Sequence, residues 1–253
     1  MTLTNLNLER YSRNILLPEI GGKGQEKLLS SKVLVIGAGG LGSPLIIYLA
    51  ALGVGNITVI DHDKIELSNL QRQIIHNTEN IGSFKSDSAA KFVKKLNPGI
   101  NINSISEKLS SKNVDQLISD HDIVADGCDN FDTRYMVADA SFKIGKTLVA
   151  AAITKYEGQI STWKRKNKSL PCFRCLFPNK PNSNEYQNCS SIGVIGSLGG
   201  FLGSLQATEV IKELLEIGES LAGYINLYDV LNNNFRKIKI NVDPNCSFCS
   251  KYN

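Results

Sequence analysis

The sequence predicts an α/β protein with a Rossmann-like, doubly wound sheet that is parallel in its first half and extended by antiparallel strands. Short apolar runs alternate with helical segments over the first 150 residues, and the pattern changes afterwards. Buried strands that alternate with helices are typical of parallel sheets with right-handed crossovers. We divide the 253 residues into an N-terminal helical arm (1–30), a parallel half (31–152) and a mixed half (153–253) of a single domain.

Five short apolar segments are the predicted parallel strands. The first, SKVLVIG, stops at a glycine, and the second, GNITVID, ends on an acidic residue. Such short apolar runs, separated by helical patterns, indicate strands of βαβ units. The strands are 31–37, 55–61, a segment that opens near 100, 121–126 and 146–151, and the helices between them are 41–52, 83–96 and 130–144.

The mixed half has a different pattern. The segment EGQISTWKRK alternates apolar and polar residues and then becomes basic, which predicts an antiparallel hairpin with KRKNK (164–168) as its solvated turn. A loop rich in Pro and Asn (178–188) leads into a helix near 192–217. Two strand-like runs, GYINLYDV and NFRKIKINV, then continue the same sheet.

Composition and charge argue against several classes of function. The net charge of +4 is too small to indicate nucleic-acid binding. The start, MTLTNLNLERYSRN, lacks the basic and apolar regions of a signal peptide. The uncharged stretch 189–208 is rich in Gly and Ser, so we expect a tightly packed helix in a core or subunit interface and not a membrane span. We therefore expect no membrane or nucleic-acid partner and a cytoplasmic location.

Glycines directly after the first strand form a phosphate-binding pattern. In the segment GAGGLGS, which includes Gly40, the residues Gly37, Gly39 and Gly42 stand in G-x-G-x-x-G register before a helix. Glycines permit the tight turn and let backbone N–H groups approach phosphate oxygens at the helix N-terminus. Asp61 lies at the carboxyl end of the second strand, where a carboxylate can accept hydrogen bonds from ribose hydroxyls.

The charged residues that follow favour a nucleoside triphosphate over a dinucleotide. Backbone amides and a helix dipole largely suffice for a dinucleotide pyrophosphate, whereas a triphosphate needs side-chain cations and Mg²⁺. Arg72 and Lys85 supply cations, although ordinary surface charge remains the alternative for each of them. Asp129 stands just past the fourth strand, so Asp61 and Asp129 should share one crevice, with one carboxylate for the ribose and the other for Mg²⁺.

Four of the six cysteines form two C-x-x-C pairs, Cys172 with Cys175 and Cys246 with Cys249. Two such pairs usually build a tetrahedral Cys₄ zinc site, and disulfides are the weaker alternative in a cytosolic chain. Four cysteine ligands leave no open position, so the Zn²⁺ should be structural and hold the C-terminal tail to the hairpin region. Cys189 precedes a helix whose dipole could lower a thiol pKa, and both a reactive thiol and a buried small side chain remain open.

Six motifs occur in order between about residue 8 and residue 249: RYSRN, GAGGLGS, LSNLQRQ, ADGCDN, PCFRC and CSFC. Together they resemble the ubiquitin-activating-enzyme-like superfamily, in its bacterial branch of ThiF, MoeB and HesA proteins. The resemblance implies an adenylyltransferase that uses MgATP to activate the C-terminal Gly-Gly carboxylate of a small ubiquitin-fold sulfur-carrier protein, with release of pyrophosphate. It also supports the structural zinc site.

The resemblance implies roles for individual residues. Arg13, in RYSRN, is similar to an arginine that reaches into the partner subunit's ATP site, which requires a homodimer. A cysteine at the position of Cys189 joins the carrier covalently in the thiamine branch and is not required for adenylation in the molybdopterin branch. The residues similar to nucleotide contacts are Asp61 for the ribose, Asn69, Arg72 and Lys85 for the phosphates, and Asp129 for Mg²⁺.

The expected reaction needs no general base. A peptide α-carboxylate has a pKa of about 3.5, so it is already an anionic nucleophile at neutral pH. Positioning, Mg²⁺ and arginine charge can bring this anion to a polyanion. We therefore expect the three histidines, His62, His76 and His121, to be structural.

Several alternatives remain open at the level of the sequence. An NAD-dependent oxidoreductase would rest on the glycine loop and Asp61 alone, and an inactive relative would only dock a ubiquitin-like partner. The preferred carrier is that of molybdopterin biosynthesis, and the thiamine-biosynthesis sulfur carrier is the alternative. The chain ends four residues after Cys249 without a fused rhodanese domain, so a separate sulfur donor is expected.

Overall fold

The computed structural model describes residues 2–165, 169–181 and 192–252. The strands in this part of the chain are β1 (Lys32–Ile36), β2 (Asn56–Ile60), β3 (Asn101–Ile105), β4 (Ile123–Asp126), β5 (Thr147–Thr154), β6 (Glu157–Trp163), β7 (Tyr224–Asp229) and β8 (Asn234–Lys239). They form one sheet with the order β3-β2-β1-β4-β5-β6-β7-β8. Strands β1 to β5 pair in parallel, and β6 to β8 continue from β5 as antiparallel neighbours. The predicted fold class is confirmed.

Nine α-helices surround the sheet in the described residues. They are α1 (Asn5–Arg10), α2 (Ser12–Ile15), α3 (Gly21–Ser30), α4 (Gly42–Ala51), α5 (Lys85–Leu96), α6 (Val114–Ser119), α7 (Phe131–Ile144), α8 (Phe173–Leu176) and α9 (Gly196–Leu215). The first three helices form the N-terminal arm. The short helices α6 and α8 were not predicted from the sequence, and the others lie close to the predicted segments.

The sheet buries a hydrophobic core on each of its faces. Successive residues of a strand point to opposite faces. Val33 and Val35 of β1 pack in a core that α4, α5 and α9 share, whereas Leu34 and Ile36 pack in a second core with α6 and α7. Helices therefore cover both faces, which is the reason that the inner strands β1 and β4 are buried over nearly their whole length and do not alternate, whereas the edge strand β3 is only partly buried.

Helix α9 contains most of the uncharged stretch and packs closely behind the glycine loop. A Cβ atom at Gly203 would overlap Leu41 O and Pro44 Cγ, and one at Gly199 would lie 2.7 Å from Gly40 O. The expectation of a tightly packed core helix is confirmed, because only glycines allow these backbones to approach. Among the described residues, no helix combines the length and the apolar character needed to cross a bilayer.

The predicted position of the β5–β6 hairpin turn was wrong. Strand β6 pairs with β5, which precedes it, so the turn lies at residues 155 and 156 and not at 164–168. Lys155 adopts φ 48°, a left-handed conformation that glycine or asparagine usually provides, and no such residue marks the turn in the sequence. Arg165 follows β6 and donates hydrogen bonds to Lys143 O and Tyr252 O. Residues 166–168 lie outside the described residues.

Candidate nucleotide site and cysteine centre

A cavity of about 770 Å³ opens beyond the carboxyl ends of β1, β2 and β4. Ligands of open parallel sheets bind at this edge, because the loops that follow the strands meet there. Asp61 and Asp129 both line this cavity. Of the nucleotide contacts expected from the sequence, the residues at its wall are Gly37, Gly39, Gly40, Asp61, Arg72, Lys85 and Asp129.

The glycine loop connects β1 to α4 and needs glycine at two positions for different reasons. Gly37 adopts φ +90°, a region that favours glycine because it lacks a Cβ atom. Gly42 is the first residue of α4, and a Cβ atom there would overlap Gly37 O. Gly42 does not line the cavity, so its contribution is to let the loop close on itself.

Asp61 ties the end of β2 to the glycine loop. Its Oδ2 accepts a hydrogen bond from the Ala38 N–H at 2.8 Å, and its Oδ1 accepts one from the Asp63 N–H at 2.9 Å. Burial raises the pKa of Asp61, and the positive charge of Lys85 opposes that effect. Two carboxylate oxygens offer about four acceptor positions, so this group retains the capacity to bind ribose hydroxyls.

Lys85 is fixed at the start of α5 by Asp63, a residue that the sequence did not single out. The Lys85 ammonium lies 2.8 Å from Asp63 Oδ2, and the Lys85 N–H donates to Asp63 O at 2.9 Å. Burial alone would raise the pKa of Asp63, but the hydrogen bond and charge of Lys85 outweigh it and lower this pKa. An ammonium has three donors, so Lys85 can keep this ion pair and also contact a phosphate.

Arg72 crosses the glycine loop with its aliphatic stem. A Cβ atom at Gly40 would lie 3.4 Å from Arg72 Cγ, and Arg72 Nη1 donates to Ser68 O at 3.1 Å. The guanidinium has five N–H donors, so most of them remain for a ligand in the cavity. The stem of this cation therefore lies directly against the loop at Gly40.

The two amide side chains near Arg72 behave differently from each other. Asn69 is absent from the cavity wall, and its Oδ1 accepts a hydrogen bond from the Glu66 N–H at 3.1 Å in a local capping arrangement. Gln73 lines the cavity with 4% of its surface exposed, and its buried Oε1 has no hydrogen-bond partner in the described part of the chain. Gln73 belongs to the LQRQ motif, but nothing in the sequence separated it from the neighbouring glutamine.

Asp129 lies exposed on the loop between β4 and α7, and buried partners fix that loop. The Arg134 guanidinium donates to Cys128 O at 2.6 Å and to Ala151 O at 2.9 Å. Asp126, at the end of β4, accepts from the Cys128 N–H at 2.9 Å. Asp126 and Arg134 therefore shape the loop that carries Asp129. The sequence signal for this role was weak, because a buried carboxylate in ADGCDN cannot be told from an exposed one.

Besides Gly42 and Asn69, two further predicted residues are not placed at the cavity. Arg13 is exposed on α2, is not part of the cavity wall and has no hydrogen-bond or ion-pair partner among the described residues. Its expected role in a partner subunit stays a prediction. Cys189 lies outside the residues that the structure describes.

Two of the three histidines are buried and hydrogen-bonded, and the third is not. His76 has 7% of its surface exposed and His121 has 8%. Both contact protein groups through their two ring nitrogens. His62 is different, because its side chain is half-exposed beside Asp63 and lines the cavity. A structural role fits the first two residues alone.

The four cysteines of the C-x-x-C pairs converge on one point. Their Sγ atoms lie within 4.8 Å of one another, with 3.8 Å between Cys172 and Cys175, 3.7 Å between Cys172 and Cys246 and 3.8 Å between Cys175 and Cys249. A tetrahedral ion with Zn–S bonds of about 2.3 Å separates its sulfurs by about 3.8 Å. The cluster therefore fits a zinc ion with four protein ligands.

The cysteine centre fastens the C-terminal tail to α7 and α8. Phe142 of α7 packs against Phe248 at 5.7 Å and Tyr252 at 6.1 Å between ring centroids, and the Arg165 guanidinium lies over Phe142 and Tyr252. The tail thus contacts helix α7, and Arg165 of the predicted hairpin segment also contacts Tyr252. Burial, with hydrogen bonds to neighbouring thiols, raises the pKa of Cys249 to about 12, so a metal must displace protons as it binds.

The doubly wound sheet and the glycine loop, with two cations at the same cavity, define a Rossmann-type nucleotide-binding protein, and its four-cysteine cluster fits a metal ion. The chain belongs to the ThiF family, which matches residues 11–248. The resemblance seen in the sequence motifs is therefore confirmed.

The similarity to known proteins extends over nearly the whole chain. It is 43% identical over 251 residues to the SAMP-activating enzyme E1 of Haloferax volcanii, covering 99% of this chain and 92% of that protein. It is 41% identical over 252 residues to the sulfur carrier protein adenylyltransferase of Thermus thermophilus, covering 98% and 93%. It is 43% identical over 249 residues to the adenylyltransferase and sulfurtransferase MOCS3 of Xenopus laevis, covering 98% of this chain and 55% of that protein. The predicted enzyme class, an adenylyltransferase, is confirmed, and the oxidoreductase alternative is set aside.

Solved structures of E. coli MccB share the fold. The complex with succinimide superposes with a TM-score of 0.83 at 22% identity, covering 98% of this chain and 74% of that chain. The complex with ATP gives a TM-score of 0.82 at 21% identity, covering 95% and 74%. At these identities the likeness concerns the fold alone.

Proposed function

We propose that the protein catalyses ATP-dependent adenylation of the C-terminal carboxylate of a small ubiquitin-fold sulfur-carrier protein that ends in Gly-Gly, with release of pyrophosphate. The observation that carries the proposal is the wall of the cavity, where Arg72, Lys85 and Asp129 surround the glycine loop. Relatives named for a sulfur carrier and for SAMP support the class of substrate.

The two cations would reduce the main physical obstacle to this reaction, which is repulsion between two anions. The carrier's carboxylate has a pKa of about 3.5 and is therefore negative when it approaches the triphosphate. Two like charges 4 Å apart repel by about 4 kcal/mol at an effective dielectric constant of about 20. Arg72 and Lys85 lie where they would offset this repulsion, so the reaction needs charge and alignment and no protein base.

Mg²⁺ and the ribose are assigned to two of the carboxylates that line the cavity, Asp129 and Asp61. Mg²⁺ prefers one or two carboxylates together with phosphate oxygens, and the exposed Asp129 offers such a ligand. When bound, the ion would neutralise charge on the phosphates. Asp61 would hold the ribose while it continues to anchor Ala38. A phosphate contact by Asn69 would require its side chain to leave Glu66.

We further propose a homodimer in which Arg13 completes the partner's site. The cavity wall of the chain lacks Arg13, and the residue carries no partner in the described part of its own chain. Leu16 and Leu17, on the same arm, have 70% and 50% of their surface exposed, and Leu6 has 64%. Consecutive exposed leucines beside a free cation suit a contact between subunits.

Mixing two impaired variants tests this assignment. Arg13→Ala and Lys85→Met chains should each have strongly reduced activity alone, but mixed dimers should recover part of the activity, because one of their two sites keeps both residues. Lack of any recovery, in dimers shown to exchange subunits, would place Arg13 in the site of its own chain or outside catalysis.

We propose Zn²⁺ as the occupant of the four-cysteine centre and a separate protein as the sulfur donor. The carrier is assigned to molybdopterin biosynthesis, with the thiamine carrier as the alternative. In the thiamine alternative, Cys189 would join the carrier covalently. Purified protein incubated with MgATP, each carrier and a separate persulfide donor would distinguish the two, because a thiol-sensitive covalent adduct, formed as AMP leaves the acyl-adenylate, is expected only for the second.

ATP–pyrophosphate exchange is the decisive assay. Exchange should depend on a carrier that ends in Gly-Gly and should vanish with the same carrier shortened by its last glycine. Asp129→Ala should abolish exchange, whereas Asp120→Ala, on the surface after α6, should not. A folded, zinc-loaded protein that supports no exchange with any Gly-Gly carrier would overturn the proposal, and an inactive docking module would be the remaining interpretation.

A further inference from the structure

His76 bridges the glycine loop and helix α5 from beneath the cavity. Its Nε2 lies 2.9 Å from Ala38 O, and its Nδ1 lies 3.0 Å from Ser88 Oγ. Ala38 belongs to the glycine loop, and Ser88 lies on the first turn of α5, which begins with Lys85. The residue itself comes four positions after Arg72. One imidazole therefore connects the three segments that carry the loop and its two cations.

The chemistry of the two partners determines the form of the imidazole. A carbonyl oxygen only accepts hydrogen bonds, so Nε2 must carry the hydrogen. In a neutral ring Nδ1 is then an acceptor, and the Ser88 hydroxyl donates to it. Burial lowers the pKa of His76 to about 4, and the positive charge of Lys85 adds to this effect, so the ring is neutral in the physiological range.

Ala38 is consequently held on both sides of its backbone. Its N–H donates to Asp61 Oδ2 at 2.8 Å, and its carbonyl accepts from His76 at 2.9 Å. These contacts fix the two peptide planes that flank Ala38, and the second of these planes also contains the N–H of Gly39, a residue at the cavity wall. Peptide planes are rigid, so fixing one carbonyl limits the direction of the neighbouring N–H groups.

We propose that His76 is a positioning residue that keeps the glycine loop in register with helix α5, so that loop amides and Lys85 meet the same triphosphate. This inference rests on the proposed function, because it concerns the ATP site of that reaction. His76 does not itself line the cavity. It acts through Ala38 on one side and through Ser88 on the other.

Kinetic analysis of His76→Leu and His76→Gln tests the proposal. Leucine leaves Ala38 O and Ser88 Oγ without a partner, and we expect the KM for ATP to rise about tenfold, equivalent to about 1.4 kcal/mol of binding free energy. Glutamine keeps a donor for Ala38 O and should restore most of the affinity. The KM for the carrier should not change in either variant, because His76 is proposed to position the ATP-binding groups and not the carrier.

His121→Leu is the matched control. His121 is also buried and also contacts a backbone carbonyl and a hydroxyl, at 2.6 Å to Leu117 O and 2.8 Å to Thr58 Oγ1. It lies at the amino end of β4, away from the cavity. Its replacement should lower the melting temperature and leave the KM for ATP unchanged. A purely structural role for His76 would make the two leucine variants behave alike.

The outcomes separate this inference from the proposed function. Calorimetry with MgATP and the wild-type chain tests whether the site binds ATP at all. If wild type binds and His76→Leu binds equally well, His76 does not position the loop, although the proposed function stands. Failure of glutamine to restore affinity in a folded protein would also overturn the inference. Should His76→Leu not fold, Ser88→Ala keeps the test decisive, with an expected rise of about threefold in the KM for ATP.

Discussion

Two glycines of α9 allow the packing behind the glycine loop to be tested by single methyl groups. Gly203 faces α4, where a Cβ atom would overlap Leu41 O and Pro44 Cγ, whereas no atom would lie within 4 Å of a Cβ atom at Gly200. Both residues lie inside the same helix. The pair Gly203→Ala and Gly200→Ala therefore differs only in what the added methyl group meets.

The structure gives opposite signs for the two variants. Alanine is better than glycine inside a helix by about 1 kcal/mol, so Gly200→Ala should raise the free energy of unfolding by about that amount. Gly203→Ala gains the same propensity, but overpacking against backbone and a proline ring costs about 3 kcal/mol. For a chain of this size about 1 kcal/mol corresponds to about 2–4 °C, so the melting temperatures should differ by about 6–12 °C.

Thermal unfolding followed by circular dichroism measures this difference, with zinc-loaded wild type as the reference. Gly203→Ala should also weaken ATP binding, because Leu41 immediately follows the loop glycines. Equal melting temperatures for the two variants would refute the close packing of α9 against α4. A stabilised Gly203→Ala would show that the added methyl group meets free space, contrary to the geometry described above.

Three further predictions concern the metal, Lys85 and its ion-pair partner Asp63. Removing zinc with a chelator should release the tail and redden the emission of Trp163, the single tryptophan, because that buried ring packs on Phe173 beside Cys172; an unchanged spectrum after loss of one zinc per chain would contradict this. Lys85→Met should lower pyrophosphate exchange about 10²-fold at saturating carrier, because the proposed phosphate contact would lose its positive charge; an undiminished rate would exclude that contact. Asp63→Asn should be less stable than wild type at neutral pH, and acid titrations of unfolding should show the gap closing as pH falls through the lowered pKa of Asp63, below 3.8; a gap that stayed constant would mean that the ion pair with Lys85 contributes nothing.

The parallel half of the sheet was predictable because its signals are local. Each buried strand is a short apolar run, and a glycine or an acidic residue marks the end of β1 and β2. The β5–β6 turn was missed for the converse reason. Lys155 occupies a left-handed conformation without the glycine or asparagine that usually marks it, and the conspicuous basic segment attracted the prediction to 164–168 instead.

The candidate site was predicted as a set of residues more accurately than as a set of contacts. Charge and position along the strands indicated that Asp61, Lys85 and Asp129 would meet at one edge of the sheet. No sequence rule indicated that Asp63 would pair with Lys85. No sequence rule indicated that Asn69 would cap its own turn either. A short polar side chain can bond to the local backbone or to a ligand, and the two arrangements differ little in free energy.

Strand β5 joins the parallel and antiparallel parts of the sheet, so the two parts cannot be separated without exposing one of its edges. It pairs in parallel with β4 on one side and with β6 on the other, where Val149 lies opposite Thr162. A fragment that stopped at residue 152 would present a row of unsatisfied peptide groups along an apolar border, and such borders recruit further copies into aggregates. Limited proteolysis should therefore fail to release a soluble, folded amino-terminal fragment. Chimeras of relatives that are joined between β5 and β6 should fold poorly.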